Sequence, residues 1–153
     1  VVSADNGVDR DTIEINAVAA GTKWSSKASI RFNVADVQRP RASASKVVAK
    51  GNRIVLEEGG SFIQSVSTGE KIALRVERGV YVFDAKYEDG STGTMALDSG
   101  AGVNVWPQDW WSDAPMEPKA PGLKMVAANG TEIANLGQKV IKFNAIQPFA
   151  GQR

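Results

Sequence analysis

Residues Val80 to Ala101, VYVFDAKYEDGSTGTMALDSGA, hold the pattern on which the fold turns. Val80 to Tyr87 reads as a strand. Asp89-Gly90 is a strong hairpin signal, because Gly at the second turn position accepts a positive φ at no steric cost. The chain then returns through the apolar run Thr94-Met95-Ala96-Leu97 and breaks at Asp98-Ser99-Gly100-Ala101. Val103-Asn104-Val105 resumes an alternating pattern. Two strands joined by a tight turn thus deliver Asp98 to the tip of a small, flexible loop. Asp, Ser and Gly are ordinary turn formers, so the string by itself leaves both a structural and a chemical reading open.

Working outward from this hairpin, short alternating segments dominate. Thr12 to Val18 alternates polar and apolar residues, and Ala28 to Val34 places Ala28, Ile30, Phe32 and Val34 on one face. Arg53 to Leu56, Ser61 to Val66, Lys71 to Val76, Leu123 to Ala127 and Gln138 to Phe143 read as further strands. Turn signals at Gly59-Gly60, Thr68-Gly69, Asn129-Gly130 and Leu136-Gly137 punctuate them. Only Ala42 to Ala49 reads as a helix, short and starting just after Pro40. These elements make residues 1–153 a single all-β domain, a small barrel or sandwich with one short helix. Residues 1–11 and 147–153 read as loose, polar ends.

Composition removes most catalytic chemistries. The chain of 153 residues holds no Cys and no His. Thiolate nucleophiles, disulfides, Ser-His-Asp triads and the common zinc sites are therefore excluded within it. Proton transfer is left to Asp, Glu, Lys or Tyr. The net charge of +1 comes without any block of like charge, so neither nucleic acid nor an anionic membrane is an expected partner. No apolar run approaches the roughly 20 residues of a membrane span. The opening Val1-Val2-Ser3-Ala4-Asp5 lacks the basic and apolar regions of a signal peptide, so an intracellular, cytoplasmic location is expected.

The Asp98 loop has the residue types that a paired-carboxylate site needs. Asp98 supplies the carboxylate, and the Ser99 hydroxyl is suited to lock the loop. Gly100 admits a partner loop at close range without a Cβ in the way, and Ala101 keeps the floor small. With its preceding hairpin, this segment resembles the retropepsin-like aspartic proteases of retroviral and retrotransposon polyproteins. Met125 to Ile133, MVAANGTEI, resembles that family's flap, and Gly137 to Phe143 the strand that leaves it. The elements that usually follow resemble segments at the start of this chain. Ser29 to Val37 resembles the returning strand, Arg41 to Val48 the second loop and helix, and Asn52 to Leu56 the next strand. Residues 28–78 thus resemble the family's C-terminal half and residues 79–146 its N-terminal half, as in a circularly permuted chain.

Several departures accompany the resemblance. Ser45 stands where the second loop usually has Gly, with Lys46 as the following basic residue. Gly102 occupies the position where many members carry an acid, and Glu57 to Arg78 fuses what would be separate terminal strands.

The resemblance implies an aspartic endopeptidase acting on extended peptide or polyprotein segments. Each subunit of a homodimer would donate one Asp98, and no metal or organic cofactor would be required. Ser99, Gly100 and Ala101 would complete the loop. Ala127, Ala128, Asn129, Gly130, Thr131 and Ile133 would form the flap over substrate. Ala101, Val103, Ile133, Ala42 and Ala44 are candidate apolar subsite residues. Trp106, Trp110 and Trp111 are expected to pack on the barrel. An inactive binding or dimerisation module of the same fold is the competing reading. A third, an unrelated β-sandwich, would leave Asp98 on an ordinary turn away from any cleft.

Overall fold

The computed structural model describes residues 27–111, 113–127 and 129–147. The strand expected at Thr12 to Val18, the flap residue Ala128 and both chain ends, Gln147 apart, lie outside the described residues. In chain order the strands are β1 (Lys27–Ala35), β2 (Arg41–Ser43), β3 (Asn52–Val55), β4 (Ser61–Ser65), β5 (Lys71–Glu77) and β6 (Val80–Tyr87). They continue as β7 (Thr92–Asp98), β8 (Val105–Pro107), β9 (Met125–Val126), β10 (Glu132–Ile133) and β11 (Gly137–Ala145), with helix α1 (Ala44–Ala49) between β2 and β3.

Six of these strands close a barrel in the order β11-β1-β8-β2-β7-β6, with β6 pairing back to β11 through Phe143↔Tyr87 and Ala145↔Ala85. Closure removes the free edges that an open sheet would expose. A closed barrel, rather than a two-sheet sandwich, is therefore the architecture. Strands β5, β4 and β3 extend from β6 as an antiparallel meander. The β5–β6 turn uses consecutive positive φ angles at Arg78 (52°) and Gly79 (79°), the geometry that matches the twist of paired strands. Among the described residues, no helix is long and apolar enough to cross a membrane.

Alternation along β11 turns Ile141, Phe143 and Ala145 inward, while β6 contributes Phe83, Ala85 and Tyr87 to the same core. Phe32 and Trp106 are fully buried and their rings meet at 5.1 Å; Phe83 and Phe143 meet at 6.0 Å. Trp106 belongs to the core, and Trp110 and Trp111 pack against it.

Two sequence expectations change. The helix expected over Ala42–Ala49 begins only at Ala44, because Arg41–Ser43 pairs in parallel with β7 as strand β2. Pro40 therefore precedes a strand, and Ser43 is the helix cap, its hydroxyl accepting the Lys46 N–H. The strand expected over Leu123–Ala127 shortens to Met125–Val126, whose antiparallel pairing is limited to Val126↔Glu132 and Met125↔Ile133.

Candidate active site

Asp98 is the last residue of β7 and lies in register with Ser43 at the end of β2. Both parallel strands stop together, so the Asp98 turn and the start of α1 emerge side by side at one end of the barrel. The Asp98 loop is closed from within by the Gly100 N–H, which donates to Asp98 Oδ1 at 2.8 Å. From the adjacent strand β2, the Ser43 hydroxyl donates to the Ala101 carbonyl at 2.6 Å. The same hydroxyl caps α1, so one oxygen fastens the loop to the helix start.

Beneath the loop lies a buried amide network centred on Asn104, which is 5% exposed. Its Oδ1 accepts the Ser43 N–H at 2.7 Å, and its Nδ2 donates to the Arg31 carbonyl at 3.1 Å. The Asn104 carbonyl in turn accepts from the N–H and the Nδ2 of Asn33. Gln138 Nε2 donates to Asn33 Oδ1 at 3.1 Å, extending the network to β11. Strands β1, β2 and β11 are thereby tied to the turn that carries Asp98.

The Asp98 side chain is about one-third exposed, and its Oδ2 lies 3.7 Å from Arg41 Nη1. It borders a cavity of about 380 Å³ whose walls include Arg39, Arg41, Tyr81, Leu97 and Ser99. Arg39 is engaged with Glu77 at 3.1 Å across that wall. Asp98 thus stands at a cleft, not on a turn remote from one, as an unrelated sandwich would have placed it.

The structure sorts the expected site residues into two groups. Asp98 and Ser99 line the cleft, with Gly100 and Ala101 completing the loop beside it. Ser99 is exposed, and the lock expected of it is supplied instead by Ser43. The residue paired with Asp98 is likewise Ser43, two positions before Ser45. The flap segment forms its expected hairpin, a separate two-stranded sheet of β9 and β10. Its turn is closed by the Ala127 N–H donating to the Thr131 carbonyl, the Thr131 N–H donating to Asn129 Oδ1, and Gly130 at φ +88°. Ala127, Asn129, Gly130, Thr131 and Ile133 do not line the Asp98 cleft. Ala42, expected in a subsite, is fully buried in the barrel core, and Ala44 packs against that core. The cleft wall is accordingly more polar than the apolar subsites anticipated.

Arg41, Ser43 and Asn104 were not singled out as site residues. Ser43 carried a usable signal, a Ser immediately before a short helical run. Asn104 carried none, since it precedes β8 between two valines that alternation alone would bury in its place.

Compared with protein-family models, with curated proteins and with solved structures, the chain matches none.

Proposed function

We propose that this chain is one half of a retropepsin-like aspartic endopeptidase, with a permuted order of strands and an active site completed by a second copy. The observation that carries the reading is the placement of Asp98. A carboxylate ends a barrel strand beside a parallel neighbour, on a loop braced by Ser43 and Asn104, and borders an open cleft. Among the described residues lining that cleft, Asp98 is the one carboxylate. The chemistry needs two.

In the proposed dimer, two Asp98 carboxyls meet and share a proton, since like charges held close cannot both ionise. The ionised member takes a proton from water as the water attacks the scissile carbonyl, and the protonated member hydrogen-bonds the carbonyl oxygen. A proton then passes to the leaving amine as the C–N bond breaks. The Gly100 N–H holds one oxygen of each carboxyl in place, a positioning role that requires no further residue. The Met125–Ile133 hairpin is assigned to cover an extended peptide and exclude water.

A second reading, an inactive binding or dimerisation module of the same fold, draws on Arg41. Its guanidinium supplies Asp98 with a counter-ion that the two-carboxyl mechanism does not use. The two readings separate in one assay. An extended-peptide library is incubated at mildly acidic pH with the wild-type chain and with Asp98→Asn. Cleavage by the wild type alone supports the peptidase. Cleavage by both removes Asp98 from the mechanism, and cleavage by neither favours the binding module.

A further inference from the structure

The opposite end of β7 carries a second cavity. Thr92 and Asp98 are the first and last residues of that strand, so the two sites stand about 20 Å apart at an extended rise per residue. This cavity has a volume of about 260 Å³ and is faced by the half-buried Trp110 and Trp111 over the buried Trp106 and Tyr87, with Asp89 and Ser91 on its rim. Three of the chain's four tryptophans converge here.

The wall is pre-organised. Trp106 meets Tyr87 and Trp110 edge-on, at 5.3 Å and 6.0 Å, and its indole N–H donates to the Trp110 carbonyl at 2.9 Å. Trp110 lies on Gly93, where any Cβ would fall 2.8 Å from its ring. Trp111 adopts a left-handed backbone with φ 46°, uncommon for a bulky residue, and its carbonyl accepts the buried Lys139 ammonium at 3.1 Å. A strained aromatic residue held by a buried lysine is a costly way merely to cover a barrel end.

Its electrostatics favour a cation. Asp89 is the charged residue of the lining. The Ser91 hydroxyl and N–H both donate to it and hold its carboxyl below the usual range. Burial raises the Tyr87 phenol well above its ordinary value, and the charges of Asp89 and Asp84 add to the rise, so Tyr87 stays neutral. The Trp106 N–H donates to Trp110 and Asp89 Oδ1 accepts from Ser91, which leaves the Tyr87 hydroxyl as the lining group without a hydrogen-bond partner. Beside that one hydroxyl, the open surface is the rings of Trp110 and Trp111 next to a carboxylate, the chemistry that attracts a weakly hydrated organic cation.

We infer that the cavity faced by Trp110 and Trp111, over a floor of buried Trp106 and Tyr87, binds a quaternary ammonium group, with Asp89 as its counter-charge. The inference stands apart from the peptidase reading and does not depend on Asp98. The test uses the intact chain and follows indole N–H resonances by NMR. A short peptide bearing trimethyllysine, free choline, and the neutral tert-butyl analogue of each are titrated in turn. The expected result is saturable binding of the charged forms that shifts the Trp110 and Trp111 signals, with the neutral analogues about tenfold weaker or more. Tighter binding of the peptide than of choline assigns the group to a modified partner chain, and the reverse order assigns it to a free metabolite; both support the site. Trp111→Ala removes one wall and should abolish binding. Asp89→Asn, at an exposed hairpin tip where folding is not at stake, should weaken it about three- to tenfold. Equal binding of charged and neutral forms, or wild-type affinity in Asp89→Asn, overturns the inference.

Discussion

Replacing Asn104 by alanine tests whether the amide network, rather than the loop's own glycines, holds the Asp98 turn in place. The substitution removes the acceptor of the buried Ser43 N–H, bonded at 2.7 Å, and the donor to the Arg31 carbonyl, bonded at 3.1 Å. It leaves the Asn104 carbonyl and its two bonds from Asn33 in place, so the local chain path should persist. A buried polar group left unpaired costs about 1–3 kcal/mol, so two of them put the expected loss at about 2–6 kcal/mol. Urea denaturation at neutral pH reads this as a lower midpoint with an unchanged slope. Asn104→Asp is the companion variant. Its carboxylate still accepts from Ser43 but turns an oxygen toward the Arg31 carbonyl, so at neutral pH it should be no better than alanine. Protonation restores a donor, and the Asp variant should therefore recover relative to alanine as pH falls. A loss below about 0.5 kcal/mol in Asn104→Ala, within the range of an ordinary surface change, would refute the reasoning.

Gly137→Ala should be destabilising by about 2–4 kcal/mol, because Gly137 sits at φ +145° and a Cβ would fall 2.8 Å from the Glu117 carbonyl oxygen, a backbone atom with little freedom to yield. Differential scanning calorimetry should show Tm lowered by about 5–10 °C, and an unchanged Tm would contradict this account of the β1–β11 end of the barrel. Asp84 receives two hydrogen bonds from Arg75, at 2.7 and 2.9 Å, and one from Thr94. The Arg75 guanidinium in particular holds its carboxyl below the usual range. A depressed carboxylate contributes stability that is present above its unfolded pKa of about 3.9 and lost as pH falls through the lower folded value. Asp84→Asn should thus cost about 0.5–1 kcal/mol at pH 7, a modest figure because the pair is partly solvated, and the gap from wild type should narrow as pH falls below the unfolded value. A gap that persists undiminished in acid, measured by urea midpoints at neutral and acid pH, would show that charge is not its source.

The barrel strands were largely legible because each buries one face and therefore alternates. β6, from Val80 to Tyr87, coincides with its expected bounds, and β1, β5 and β11 extend theirs by no more than two residues at either end. Asp89-Gly90 marked the hairpin through the positive φ that Gly90 adopts at +91°. What local pattern could not reveal was long-range pairing. Ala42 and Ser43 carry ordinary helical character, and only the parallel partnership with Leu97 and Asp98 makes them a strand. Site legibility divided similarly. Asp98 stood out by residue type and turn context, whereas Ser43 and Asn104 act across 58 and 61 positions of sequence, through contacts that barrel closure creates. Trp106, Trp110 and Trp111 were legible as packing residues, but the cavity they enclose depends on the β6–β7 hairpin tip meeting them in space.

The central claim is that two copies of the Asp98 loop form one catalytic unit, and subunit mixing tests it most directly. Wild-type chain and Asp98→Asn are combined at fixed total concentration, unfolded and refolded together, and assayed for cleavage of an extended peptide at mildly acidic pH. If each site needs an Asp98 from both subunits, activity falls with the square of the wild-type fraction, to about a quarter at equal mixing. A linear fall, to about half at equal mixing, would mean that each chain works with its own carboxylate alone, and would contradict the account.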